Sequence, residues 1–151
     1  MRKAALTCGL SIVLLTAMLP RAMAVDTQTN VGEVDLTSAR QKVKAKDWKA
    51  AIEELKPIIA KVDNADAYNL YAFSLRNTGD YQQAFTYYAK ALDFDPNHKG
   101  AHEYLGELYV MTNNMPKANE HLATLEKLCP SGCEELDDLR KAIAAGPKKS
   151  N

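Results

Sequence analysis

Apolar residues recur three and four positions apart over most of the chain beyond residue 35, and this spacing predicts amphipathic helices. Two consecutive stretches, Ala65–His98 and Lys99–Gly132, place the same residue classes at the same intervals of 34 residues. Each stretch contains two helical patterns separated by a short turn. A fixed period of this length is typical of a helical repeat array. The pattern therefore predicts an all-α protein built from antiparallel helix pairs.

Small residues mark the points at which helices should approach each other. Ala72 and Gly106 fall midway along the first predicted helix of each stretch, and Ala84 and Ala118 fall early in the second. Side chains of this size let two helix axes come close together. Larger residues at these positions would force the helices apart.

The turn between the paired helices has a recognisable chemistry. Gly79 tolerates a positive φ angle and should end one helix, while Asp80 should cap the next by accepting a backbone N–H. In the second stretch Asn113 and Asn114 can take these two roles. Both turns therefore predict a sharp reversal of the chain.

The two stretches carry a matching set of large and small residues. In order, these are Tyr68, Tyr71, Ala72, Leu75, Tyr81, Ala84, Tyr88, Ala91 and Pro96, and then His102, Leu105, Gly106, Tyr109, Met115, Ala118, Leu122, Leu125 and Pro130. With these residues the chain resembles the tetratricopeptide repeat (TPR) family, whose unit is two antiparallel helices with a small residue at their crossing. The resemblance implies repeats over 65–98 and 99–132 in a right-handed helical-hairpin array of about three TPR-like units.

An earlier segment carries part of the same pattern. Trp48, Ala51 and Leu55 match the second helix of the repeat and predict a degenerate unit over 36–64. Its first helix should run from about Leu36 to Ala45. Pro57 departs from the pattern, because a proline inside a helix removes one hydrogen bond and kinks the axis.

A further helix is expected after the last repeat. Ser131 and Glu134 have the spacing of a capping box, and Leu136, Leu139 and Ile143 then fall on one helical face. A repeat array exposes its last apolar face unless a terminal helix covers it. We therefore expect a C-terminal capping helix over 133–146, followed by a tail over 147–151.

The first 24 residues have the composition of a secretory signal peptide. Arg2 and Lys3 precede an apolar stretch, and the sequence from Ala22 to Ala24 has the small residues of a cleavage site. We expect cleavage after Ala24, a flexible lead-in over 25–35, and a periplasmic or secreted protein. The alternative is a retained membrane anchor, but the apolar stretch is short for a bilayer core of about 30 Å.

Charge narrows the class of partner. Loss of the signal removes three of the 19 basic residues and none of the 19 acidic ones, which leaves a mildly acidic chain. A nucleic-acid-binding protein would need a basic face. We therefore expect no nucleic acid partner, and no stable membrane insertion after cleavage.

Two cysteines remain beyond the predicted signal. In an exported protein Cys129 and Cys133 first indicate a structural disulfide that ties the terminal helix to the array. Two alternatives stay open, a thiol redox pair and a soft-metal site for copper, for which Met111, Met115 and His121 are the nearby helpers.

Other residues with metal or catalytic chemistry have simpler structural roles. His98 and His102 are four residues apart, but the first stands at a helix start and the second occupies a packing position. Acids such as Glu103 and Asp93 fit solvated helix faces. We found no phosphate-binding glycine loop and no serine, histidine and acid set, so we expect no enzyme activity, no cofactor and no metal.

The resemblance implies that the first helices of the pairs line a concave groove for a partner. Helical phase assigns eight outward residues to this groove: Asn69, Phe73, Arg76, Asn77, Glu103, Glu107, Val110 and Met111. Arg40 and Lys44 are weaker candidates from the first unit. An exposed aromatic such as Phe73 on a polar face favours partner binding.

The sequence thus predicts a non-catalytic protein–protein interaction module, either an adaptor or an assembly factor, that binds a protein or peptide ligand in the groove. Two alternatives are a thiol-redox or copper-handling protein that uses Cys129 and Cys133, and a structural array that associates with copies of itself.

Overall fold

The computed structural model describes residues 34–147, which contain seven α-helices and no strand. The helices are α1 (Thr37–Lys44), α2 (Trp48–Ile59), α3 (Ala65–Thr78), α4 (Tyr81–Phe94), α5 (Lys99–Met111), α6 (Met115–Leu128) and α7 (Glu134–Ala145). The first six form three pairs, α1 with α2, α3 with α4 and α5 with α6, and each pair packs on the next. The all-α repeat fold expected from the sequence is confirmed.

The turns within the pairs follow local chemistry. Gly79 has a φ angle of +89°, and the Asp80 side chain accepts a hydrogen bond from the Gln83 N–H. Asn113 has a φ angle of +60°, and Asn114 caps α6. Both turns match the sequence prediction, because each residue acts on backbone within three positions of itself.

The first unit is a complete helix pair. Helix α1 runs from Thr37 to Lys44, between the N-cap Leu36 and the C-cap Ala45, one residue shorter at each end than the predicted helix, and Leu36 and Ala39 are buried in the core. Pro57 lies in the last turn of α2, and the helix continues to Ile59.

The terminal helix α7 packs against both α5 and α6. Leu136 and Leu139 of α7 are buried against the array, so α7 covers its apolar end, as expected. At Gly106 a Cβ atom would lie only 2.7 Å from the Leu139 side chain. The missing side chain at Gly106 therefore allows α7 to approach closely. From the sequence, Gly106 was expected to serve the contact between the two helices of its own pair.

The capping box predicted at Ser131 is wrong. The N-cap of α7 is Cys133, whose backbone is extended and whose side chain caps no N–H group. Gly132 has a φ angle of +89° and turns the chain between Ser131 and the helix. The helix therefore begins two residues later than a capping box from Ser131 requires.

Tyr88 supplies a test of core energetics. Its ring is fully buried, and its hydroxyl has no hydrogen-bond partner among residues 34–147. Burial raises the pKa of Tyr88. An unsatisfied buried hydroxyl costs free energy, so we expect Tyr88→Phe to raise the free energy of unfolding by about 1 kcal/mol.

Urea unfolding of both proteins measures this change. Tyr68→Phe is the matched control, because the Tyr68 hydroxyl donates a 2.7 Å hydrogen bond to Asp63 and its loss should cost about 1 kcal/mol. A loss of stability in Tyr88→Phe equal to that of the control would contradict the prediction.

Candidate functional site

A groove of about 400 Å³ lies where the C-terminal parts of α3, α5 and α7 meet. Helix α5 packs between the other two and contributes to the groove from its last two turns. The lining residues are Arg76, Asn77, Glu107, Val110, Met111, Ala142, Ala145 and Gly146. Five of the eight residues that the sequence assigned to the groove are therefore brought together here, and α7 adds a wall that the sequence analysis did not include.

One side of the groove is apolar. Val110 is 3% exposed, and Met111, the next residue, is 44% exposed. Ala142 and Ala145 face them from α7. Methionine adapts its shape to different apolar partners because it is unbranched and flexible. An apolar side chain of a partner could therefore pack against the fixed Val110 and the adaptable Met111.

Arg76 forms the polar side of the groove and is already engaged. Its Nη1 atom donates hydrogen bonds to Glu107 Oε2 at 2.7 Å and to the backbone carbonyl of Tyr104 at 3.1 Å. The guanidinium carbon lies 4.9 Å from the centre of the Phe73 ring and 5.3 Å from that of Tyr104. The Arg76 side chain is only 10% exposed, so it links α3 to α5 and does not extend into solvent.

Phe73 packs within the array. Its ring meets the edge of Trp48 at a centroid distance of 5.6 Å and the ring of Tyr104 at 4.6 Å. The expectation of an exposed aromatic is wrong, since these contacts join α2, α3 and α5. Packing against neighbouring helices accounts for Phe73 on a face that otherwise looks polar in sequence.

Three of the residues assigned to an outward face are buried: Asn69, Glu103 and Val110. Helical phase gave the wrong exposure here because α5 packs against α3 on one side and α7 on the other. Asn77 and Met111 are exposed, as expected. Partner contact at these positions stays a prediction.

Glu103 is the most perturbed acid near the groove. It is 7% exposed, and the interpretation of this residue as a solvated acid is wrong. Burial, together with the nearby carboxylates of Glu107, Asp138 and Glu135, raises the pKa of Glu103 to about 8, while Arg76 opposes the shift. The proton is thus held where several acids converge.

The weaker candidates in the first unit lie away from this groove. Arg40 pairs with Asp66 at 2.7 Å on an exposed surface, and Lys44 is exposed near the end of α1. Neither residue lines the 400 Å³ groove.

The cysteine pair lies beside the terminal helix. The structure gives Cys129 and Cys133 disulfide geometry, with Cα atoms 5.8 Å apart, and Cys129 packs with Leu125 and Leu136. The bond itself stays a prediction, which a free-thiol count of the purified protein tests. Residues 34–147 contain no group of three or more His, Cys, Asp or Glu side chains arranged to hold a metal ion.

His98 and His102 are four residues apart in sequence, but their side chains contact different residues in the structure. His98 caps α5 and contacts Asp66 at 2.9 Å, whereas His102 contacts His121 at 2.9 Å between their Nδ1 atoms. His121 is half-buried and not exposed, and burial together with His102 lowers its pKa to about 4. Sequence reasoning missed this pair because its members lie on the two helices of one repeat.

Within residues 34–147 no helix combines the length and the apolar character needed to cross a bilayer. The predicted signal peptide over 1–24, most of the lead-in and the last four residues lie outside the described part of the chain.

The three helix pairs and the covering helix define a helical-hairpin repeat protein. Two family models, each described as Tetratricopeptide repeat, match residues 36–99 and 75–145 and together extend from α1 to the end of α7. The chain belongs to the tetratricopeptide repeat family. Repeat arrays present extended concave surfaces to other proteins, and at that level of description this chain is a protein-interaction module.

Two solved structures show the same fold. The first, MamA from residue 41 to its end, from Desulfovibrio magneticus RS-1, has 26% sequence identity and a TM-score of 0.58, with 62% of this chain and 53% of that chain covered. The second is PcrH in complex with the chaperone binding region of PopB, with 16% identity and a TM-score of 0.60, covering 75% of this chain and 97% of that one. This chain thus spans about half the length of the MamA structure. The comparison with curated proteins gave no match.

Proposed function

We propose that this chain is an exported, non-catalytic adaptor or assembly factor that holds a protein or peptide segment in the groove between α3, α5 and α7. The observation that carries the proposal is the 400 Å³ groove, with its apolar wall beside an arginine–glutamate pair. Its volume falls within the range of roughly 300–1,000 Å³ that is usual for ligand pockets.

The lining gives the partner a chemistry. Met111 is exposed next to the buried Val110, so a partner that covers Met111 removes apolar surface from water. Arg76 and Glu107 are held in place by their own hydrogen bond, which keeps this side of the groove in one shape. PcrH, which shares the fold, was crystallised with a region of another protein. That likeness supports the mode of action by analogy.

Export rests on the sequence of residues 1–24. We expect the mature protein to begin at Val25 and to be recovered outside the cytoplasm. Cell fractionation with N-terminal sequencing tests this part of the proposal independently of partner binding. A cytoplasmic protein that keeps residues 1–24 would contradict it.

Two adjacent alanines of α7 provide a matched pair of variants. Ala145 lines the groove, whereas Ala144 does not, and both are exposed. Glutamate at position 145 would place a charged side chain in the groove without removing a core contact. We expect Ala145→Glu to reduce partner recovery at least about tenfold, and Ala144→Glu to leave it unchanged, because charge in an apolar site is costly to desolvate.

The measurement is cross-linking in the source cells, followed by recovery of the full chain with an antibody and identification of the attached proteins. A partner lost in Ala145→Glu and kept in Ala144→Glu establishes the groove as its site. Equal recovery from both variants would refute the groove as the binding surface. Recovery of a second copy of this chain would instead favour the self-associating array.

A further inference from the structure

Four carboxylates lie on α5 and α7, the two helices that pack together beside the groove. Glu103 lies one turn before Glu107 on α5, Asp138 lies one turn before Ala142 on α7, and both Glu107 and Ala142 line the groove. The charges of Glu135 and Asp138 act on Glu103 from α7. Glu107 also lines the groove, which makes the acidic group and the apolar wall one continuous surface. We call these four residues the acidic flank.

The basic side chains near the acidic flank do not neutralise all four of its carboxylates. Arg76 faces Glu103 from α3, but its guanidinium is already bound to Glu107 at 2.7 Å. Asp138 pairs with Lys141, whose side chain is 74% exposed. No ion pair or hydrogen bond from residues 34–147 reaches the carboxyl group of Glu103; the residue is 7% exposed, and its carboxyl oxygens are not fully enclosed. A buried acid without a partner is costly unless a cation or a proton compensates it.

We propose that the partner segment carries a lysine or arginine beside an apolar residue, with the apolar side chain in the groove and the basic one on the acidic flank. This inference rests on the proposed function and adds the charge of the partner to it. The basic side chain of the partner forms an ion pair with the carboxyl group of Glu103.

The geometry sets the spacing of the two partner residues. Glu107 and Ala142 line the groove, while Glu103 and Asp138 each lie four residues earlier on the same helices. One helical turn is about 5.4 Å. The basic and apolar residues of the partner should therefore be three or four positions apart in a helix, or two apart in an extended segment.

Binding of a cation should release a proton. In the free protein at neutral pH, Glu103 is mostly protonated, because burial and the neighbouring Glu107, Glu135 and Asp138 raise its pKa to about 8. A bound ammonium or guanidinium group favours the carboxylate. Affinity for a basic segment should consequently rise between pH 6.5 and pH 8, by about three- to tenfold.

The probe is a library of random twelve-residue peptides displayed on phage, selected on the full chain at pH 7.5. We expect the selected peptides to share a lysine or arginine near an apolar residue. Replacing that basic residue by glutamine in a labelled synthetic peptide should weaken binding about tenfold or more, measured by fluorescence anisotropy.

A charge-matched pair of protein variants locates the effect. Glu103→Gln/Glu135→Gln removes two charges from the acidic flank, and Glu53→Gln/Asp93→Asn removes two from exposed positions outside it. The first variant should lose both the preference for the basic peptide and the rise of affinity with pH. The second should keep both, which separates a local pairing from the effect of net charge.

The outcomes distinguish this inference from the proposed function. Peptides that Ala145→Glu rejects, but that carry no basic residue, would overturn the inference and leave the groove as a binding site. Peptides that bind Ala145→Glu as well as the parent chain would overturn both. Lys148 and Lys149 make the chain's own tail an alternative occupant. A tenfold gain in peptide affinity on deletion of residues 148–151 would show that the tail competes for the acidic flank, which would support the recognition of basic residues there.

Discussion

Arg76→Ala is expected to lower the free energy of unfolding by about 3 kcal/mol, because truncating one member of a buried ion pair strands the other. Arg76 is 10% exposed and Glu107 is 24% exposed, so solvent can compensate Glu107 only in part. The variant also loses the hydrogen bond to the Tyr104 carbonyl and the contacts with two aromatic rings. Helices α3 and α5 should separate more readily.

Urea unfolding, followed by circular dichroism, measures the change. The control is Arg140→Ala, whose pair with Glu126 is 49% exposed on both sides and should be worth less than about 1 kcal/mol. Equal losses in the two variants would show that Arg76 contributes no more than a surface pair. If Arg76 and Phe73 were exposed groove residues, as helical phase suggested, Arg76→Glu and Phe73→Ala would leave helicity unchanged. Both residues pack between helices, so we expect these changes to destabilise the array.

Glu103→Gln is expected to stabilise the protein at pH 8 by on the order of 2–4 kcal/mol and by much less at pH 5. Burial and neighbouring acids raise the pKa of Glu103 from 4.5 to about 8. Between these values the folded chain holds a proton that the unfolded chain has released. The stability of the native protein should therefore fall as the pH rises through this window, and glutamine removes that dependence.

Unfolding by urea at pH 5, 6.5 and 8 tests the prediction for the native chain and Glu103→Gln. Glu53→Gln, at an exposed position, should change stability by less than about 0.5 kcal/mol at each pH. His121 acts at the other end of the range, because burial lowers its pKa from 6.5 to about 4. The stabilisation of the folded state by neutral His121 is fully present above pH 6.5 and is lost as the pH falls towards 4. A native chain equally stable at pH 6.5 and pH 8 would contradict the role given to Glu103.

The order and limits of the helices were largely predictable from sequence. Gly79, Asp80 and Asn114 act on backbone groups within a few residues, so their effect does not depend on the rest of the fold. The error at Ser131 also arises from local backbone conformation. Gly132 has a positive φ angle, which the capping-box spacing did not include, and the helix begins only beyond it.

The groove was predictable only in part. Asn77, Glu107 and Met111 follow from the phase of their own helices, and the structure brings all three to one groove. The phase of α5 could not show that α7 covers a second side of it, which buries Glu103. Nor could it show that Trp48 and Tyr104 enclose Phe73. Exposure depends on which neighbouring helices arrive, and that is a property of the assembled array.

The sequence by itself determined the repeat, the helix pairs and the covering helix, because a period of 34 residues and the spacing of apolar residues are written along the chain. The tertiary structure decided which side chains are free to bind. Arg76 is held by Glu107 from another helix, and Glu103 is surrounded by acids from α7. Electrostatic environment and burial arise from residues distant in sequence, so only the packed array sets the charge and shape of the groove.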